Sequence, residues 1–166
     1  MVLNQSLPRQ RSQDTETERF ARLRALPFFA DFHDVVLWEL MRLGKWRRLE
    51  CGTVLMRENT PGDSFCILIE GQVSVSRQGW NLSTLSPGVT LGEMTYLRPE
   101  SKLRTATAVA ETDVLVLKIR NPALREASED LQSRFDKAFI KLLVGRLIAT
   151  NEQLAEWELV AEPPRS

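Results

Sequence analysis

Glycines punctuate the middle of this chain at positions 44, 52, 62, 71, 79 and 88, eight to ten residues apart. The segments between them are short, and 46–50, 53–57, 64–70, 72–77 and 81–85 each read as a strand. Turn signals at that interval predict a small antiparallel barrel or sandwich. Val73 and Val75 alternate with Gln72, Ser74 and Ser76, so that strand is half buried. Residues 65–69 are apolar on both faces, so that strand is central. An interruption follows at 92–103, with a short helical turn stopped by Pro99, and then two more strands at 105–110 and 114–119.

Helical periodicity flanks this region. Over 14–26, Phe20, Leu23 and Leu26 recur at spacing three, with acids early and arginines late, and Pro27 ends the run. Residues 33–43 read as a second helix, started by His33 and Asp34, with Val36, Leu37, Leu40 and Met41 on one side. Pro122 opens another helical region, and a proline-free helix runs from about 130 to 160. The expected class is α+β: an antiparallel β-roll, jelly-roll-like, with N-terminal helices, a short helix in the interruption and a long C-terminal helix. The expected divisions are a flexible 1–13, a β-roll unit over 14–128, the long helix over 129–160 and a flexible tail at 161–166.

Composition removes whole classes of function. The 166 residues suit one domain, and 43% hydrophobic with 27% charged is ordinary for a globular chain. Lys plus Arg equal Asp plus Glu at 22 each, which argues against a nucleic-acid binder working by bulk charge. No apolar run approaches the roughly 18 residues of a membrane span. The N-terminus lacks the apolar centre of a signal peptide, so the cytoplasm is the expected compartment. Cys51 and Cys66 make no disulfide framework; Cys66 reads as core and Cys51 as a turn residue. The single histidine, His33, lies on a helix, so zinc sites built on several histidines and metal-binding cupin sites are ruled out. No phosphate-binding Walker loop and no Gly-rich dinucleotide fingerprint occurs. Neither an enzyme nor a metal or other cofactor is expected.

The interruption carries the chemistry. Gly92-Glu93-Met94-Thr95 opens a short helix inside a β-domain, and Arg104-Thr105-Ala106-Thr107 enters the next strand. Unpaired N–H groups at a helix start favour an anion. An arginine across the loop can fork onto two phosphate oxygens, and a glutamate at the helix start can accept from sugar hydroxyls. One cradle would then hold phosphate and ribose together. Taken singly, Glu93 and Arg104 would form a surface ion pair of little worth.

At these residues the sequence resembles the cyclic nucleotide-binding domain, over roughly residues 18–158. Pro61-Gly62-Asp63 before a strand and Glu70-Gly71 after it match the family's turn signature. Leu85, Pro87-Gly88 and Leu91-Gly92-Glu93 match the approach to its phosphate-binding cassette, and Arg104-Thr105-Ala106-Thr107 matches the exit. The resemblance implies that Glu93 binds the ribose 2′-hydroxyl and that Arg104 pairs with the cyclic phosphate. It implies that the amides of Met94 and Thr95, with Thr105 and Ala106, complete the cradle, and that Gly92 lets the backbone come close to the ligand. Two departures stand out. The loop between Glu93 and Arg104 is slightly long, with the extra length in 99–103. Thr95 and Tyr96 replace a small residue and a leucine, with Thr95 expected to act through its backbone. Arg98 and Lys102 could steer an anion, or simply belong to a solvated loop.

The long helix carries a second signal. Leu143, Leu147, Thr150, Leu154 and Trp157 follow a four-three spacing, which is a heptad seam. Phe139, Ile140 and Val144 add another strip, more than one domain would cover, so a homodimer through this helix is expected. The stretch 146–152 also resembles the dimer helix of the catabolite activator group. That resemblance implies base contacts by Thr150 and Asn151 and a pairing of Arg146 with Glu93. That group follows the helix with a DNA-reading helix-turn-helix; here nine residues follow Trp157, including Pro163-Pro164, so no DNA reading of that kind is expected. The expected function is a cyclic nucleotide sensor, with cyclic AMP favoured and cyclic GMP the alternative ligand. The competing reading is a degenerate fold serving as a dimerisation or docking module.

Overall fold

The computed structural model describes residues 14–161. The expected flexible ends lie outside the described residues, except that Ala161 is the last residue of the long helix.

Helix α1 (Glu16–Arg24) begins two residues later than the periodicity suggested, because Thr15 caps it. The Thr15 hydroxyl accepts from the Glu18 amide while the Glu18 carboxylate accepts from the Thr15 amide, a reciprocal capping box. Pro27 does more than stop α1: it opens a 3₁₀ turn, Pro27–Phe29. Helix α2 (Asp34–Leu43) buries Val36, Leu37 and Leu40. His33 holds its N-cap position without a side-chain cap, and Asp34 bonds instead to the Arg24 guanidinium.

The strands are β1 (Lys45–Leu49), β2 (Val54–Met56), β3 (Ser64–Glu70), β4 (Val73–Arg77), β5 (Trp80–Leu85), β6 (Thr90–Leu91), β7 (Thr107–Ala110) and β8 (Val114–Arg120). Helix α3 (Met94–Leu97) lies between β6 and β7, and α4 (Asn121–Arg125) and α5 (Glu129–Ala161) follow β8. All pairings are antiparallel, in two four-stranded sheets ordered β1-β8-β3-β6 and β2-β7-β4-β5, a jelly-roll-like arrangement without a closed barrel. Strand β6 escaped the sequence pattern because two residues are too few to alternate. Strand β7 starts at Thr107, not Thr105; just before it the Arg104 backbone pairs with Asn59 and Thr60 instead.

Alternation along β3 and β8 builds the layers. Phe65, Ile67, Ile69, Leu115, Leu117 and Ile119 join the core under the helices. Cys66, Leu68, Val114 and Val116 join a second core between the sheets. The two central strands of the first sheet, β3 and β8, are thus buried on both faces, which is why β3 reads as continuously apolar, whereas edge strand β1 stays largely exposed. Every phenylalanine except Phe20 meets in one aromatic cluster: Phe28, Phe29 and Phe32 from the 3₁₀ region, Phe65 from β3, and Phe135 and Phe139 from α5. Tyr96 of α3 touches the same cluster through Phe65 and Phe139. Glu39 of α2 accepts from the amide and hydroxyl of Ser128, fixing the start of α5.

Helix α5 therefore has two faces. Leu131, Phe135 and Phe139 are fully buried against the domain. Ile140, Val144, Leu147, Ile148, Leu154 and Trp157 are 50–79% exposed. Phe139 thus parts company with Ile140 and Val144: it docks inward, and they line the outer strip beside Leu147. Among the described residues, no helix is long and apolar enough to cross a membrane.

Candidate functional site

Strand β6 pairs with β3 through Cys66 and Leu91, and delivers the chain to Gly92 at the sheet edge. Gly92 sits at φ +81°, a left-handed conformation that costs other residues free energy, and turns the chain into Glu93 and α3. The far side of the loop is fastened to the 59–62 turn. Leu103 bridges Pro61. The Gly62 amide donates to the Lys102 carbonyl at 2.8 Å, the Arg104 amide to the Thr60 carbonyl at 2.9 Å, and the Asn59 amide to the Arg104 carbonyl at 2.9 Å. These bonds set the Arg104 backbone however long the loop tip is.

The Arg104 side chain turns inward and is 8% exposed. Its guanidinium donates to the Gly92 carbonyl at 3.2 Å, to the Thr95 hydroxyl at 3.5 Å and to the Ser64 hydroxyl at 3.4 Å. Each of these acceptors is neutral, and no described carboxylate lies within ion-pair distance of it. Burial holds its pKa below arginine's ordinary value, yet arginine remains cationic in proteins. Two glycines make room for it. A Cβ at either Gly62 or Gly92 would collide with the guanidinium, and one at Gly92 would also come within 2.7 Å of Met56 Sδ.

Glu93 is 2% exposed and forms an ion pair with Arg146 of α5. Arg146 also donates to the Thr90 carbonyl at 3.1 Å. Glu93 and Arg104 are therefore not a surface ion pair; both are buried, and each has separate partners. The structure brings Gly92, Glu93, Thr95, Arg104 and Arg146 into one cluster. Met94 and Ala106 are half-buried and Thr105 is exposed. Thr150 and Asn151 are exposed one turn beyond Arg146, and the Thr150 hydroxyl donates to the Arg146 carbonyl of its own helix at 2.9 Å. Arg98 pairs with Glu100 outside the cluster.

Thr95 is bonded through its hydroxyl as well as its amide. Its amide makes a long bond to the Gly92 carbonyl, 3.4 Å, and its buried hydroxyl is the busier group. The hydroxyl donates to the Gly92 carbonyl at 3.0 Å and accepts from Asn121 Nδ2 at 3.2 Å as well as from Arg104. Ser64, Thr90 and Asn121 belong to the site but carry no sequence motif. The one available signal was polarity in apolar surroundings, such as Ser64 at the head of an otherwise apolar strand. A cleft of about 440 Å³, a usual size for small-ligand sites, is lined in part by Met56, Gly62, Ser64, Arg104 and Lys118. A larger cleft of about 900 Å³ lies between the 3₁₀ region and α5 and contains none of the cluster residues. Burial pushes the Cys66 thiol up to about 11, so it is inert.

A family model described as the cyclic nucleotide-binding domain matches residues 46–130. A cyclic nucleotide-gated potassium channel of Mesorhizobium japonicum is 35% identical over 97 residues, which are 58% of this chain and 26% of the channel. A CRP-like cAMP-activated global transcriptional regulator of Mycobacterium tuberculosis is 27% identical over 119 residues, 69% of this chain and 52% of the regulator. The chain thus spans about half or less of the length of these relatives. Thermus thermophilus catabolite activator protein has the same fold, with a TM-score of 0.64 at 21% identity, covering 80% of this chain and 63% of that one.

Proposed function

This chain belongs to the cyclic nucleotide-binding domain family, and from that premise we propose that it is a cyclic AMP sensor module whose ligand occupies the Gly92–Arg104 cassette. The observation that carries the reading is Arg104: a buried cation held, among the described residues, by neutral oxygens alone. An unpaired buried charge is costly, and an anion delivered beside it removes that cost. A cyclic phosphate supplies the charge with the geometry that a guanidinium fork matches. Gly92 brings the backbone close, the Met94 and Thr95 amides and the Thr105 and Ala106 segment line the phosphate, and Glu93 accepts from the ribose 2′-hydroxyl.

Helix α5 carries the signal in this reading. Arg146 already reaches from α5 to Glu93, so a ribose at Glu93 alters the seat of the helix. Thr150 and Asn151 contact the base across a homodimer formed by the exposed strip of α5, one from each subunit. That strip leaves Leu147, Ile148 and Leu154 more than half exposed in a single chain, and burying apolar surface favours pairing. The role is regulatory and non-enzymatic, in the cytoplasm, without a cofactor. Cyclic AMP is favoured by the adenine-compatible Thr150 and Asn151 pair and by the regulator relative, whose name records activation by cAMP.

Titration calorimetry of the chain with cyclic AMP and cyclic GMP tests this. Saturable binding of cyclic AMP is expected, weakened by one to two decades in Arg104→Ala, since a charge-assisted bond contributes about 1.5–3 kcal/mol. Equal affinity of Arg104→Ala and the parent would remove the assigned phosphate site. Preference for cyclic GMP, lost selectively in Thr105→Ala, would reverse the ligand. Absence of binding to either would favour the degenerate fold acting as a docking module.

A further inference from the structure

The Thr95 hydroxyl is saturated, and what saturates it joins two parts of the fold. The Gly92 carbonyl can only accept, and the Arg104 guanidinium can only donate. The hydroxyl therefore gives its one proton to Gly92 and accepts from Arg104 and from Asn121 Nδ2. Asn121 is 4% exposed and is the first residue of α4. Its amide donates to the Asp63 carbonyl at 2.6 Å, so the start of α4 hangs between the turn before β3 and the cassette. Its Oδ1 is buried with no partner among the described residues. A lone buried acceptor in such a network marks an arrangement held at a cost, one that a rearrangement can relieve.

We propose that Thr95 and Asn121 are positioning residues that aim the Arg104 guanidinium and transmit its movement to the first turn of α4. The proposal rests on the sensor reading and names a route of regulation for that site. An anionic ligand is a stronger acceptor than the neutral oxygens of Gly92 and Thr95, so Arg104 turns towards it. The Thr95 hydroxyl then loses a donor, and its bond to Asn121 readjusts. Helix α4 leads directly into α5 through Ser128, so the first turn of α4 is a second route from the cassette to α5, beside the Arg146 contact.

Nitrogen-labelled chain in an NMR experiment tests the link in two arms. Without ligand, Arg104→Lys should move the Asn121 side-chain amide resonances, and Thr95→Val should move them further and abolish their response to Arg104→Lys. With cyclic AMP, the parent should show altered amide exchange over 121–125. In Thr95→Val that change should be lost while affinity falls only about two- to tenfold, as expected for one neutral hydrogen bond. Thr95→Ser, which restores the hydroxyl, should restore both responses. Asn121 resonances indifferent to Arg104→Lys, or an exchange response preserved in Thr95→Val, would overturn the proposal. A parent that binds no cyclic nucleotide would overturn the sensor reading, while the ligand-free arm would still decide the link.

Discussion

Arg146 on the outer helix reaches Glu93 inside the cassette, closing an ion pair between residues 53 positions apart. The carboxylate is almost wholly buried while the guanidinium is partly solvated. The pair is therefore asymmetric. Removing the arginine strands a buried charge, whereas removing the carboxylate leaves an arginine that water can serve.

That asymmetry predicts the stability of variants. Arg146→Ala should lose about 1–3 kcal/mol, the cost of leaving a buried group unpaired. Adding Glu93→Gln should recover part of that loss, because position 93 then buries no unpaired carboxylate. Thermal melts followed by circular dichroism check this. A double variant as unstable as the sum of the two single ones would mean that the pair is not coupled.

Gly62 is remote from the cassette in sequence but adjoins the Arg104 guanidinium. The three atoms nearest the methyl of Gly62→Ala all belong to the guanidinium of that flexible side chain. The fold should survive, at about 1–3 kcal/mol for overpacking, while the guanidinium is pushed out of its seat. Cyclic AMP affinity should fall about tenfold, with secondary structure unchanged. Calorimetry showing parental affinity would place the ligand away from Arg104.

The outer strip of α5 predicts assembly. The parent should sediment as a dimer, and Leu147→Glu should give a folded monomer, because two carboxylates would face each other in an apolar seam. A monomeric parent, with and without cyclic AMP, would end the dimer proposal.

Cys66 predicts a pH effect. Burial raises its pKa from 9.0 to about 11 in the folded chain. The folded state holds the proton more tightly, so this contribution is fully present below pH 9.0 and is lost as pH rises towards 11. The loss amounts to about 1.4 kcal/mol per unit over that window. Urea melts at pH 8 and pH 10.5 should therefore diverge less for Cys66→Ala than for the parent. Equal divergence would show that the thiol is not the group responsible. At pH 8 the exposed Cys51, not Cys66, should react with a thiol reagent.

Periodicity and turn chemistry determined most of the elements, though not the two-residue β6 or the 3₁₀ turn at Pro27. The glycine spacing, the both-faced apolar run of β3 and the proline-free stretch after 129 are local patterns, and local patterns specify local structure. The cassette motif likewise singles out Glu93 and Arg104 from sequence alone. What it could not supply was the state of those charges. Only the tertiary structure decides that Arg104 is seated among neutral oxygens between two glycines, or that Glu93 takes its cation from α5. Ser64, Thr90 and Asn121 enter the site for the same reason. A buried polar side chain is defined by what packs around it, and those neighbours come from strands and helices distant along the chain. Phe139 and Ile140 make the same point on α5. Adjacent and equally apolar in sequence, they are separated by the helix's rotation per residue, and the position of the aromatic cluster decides which one is buried.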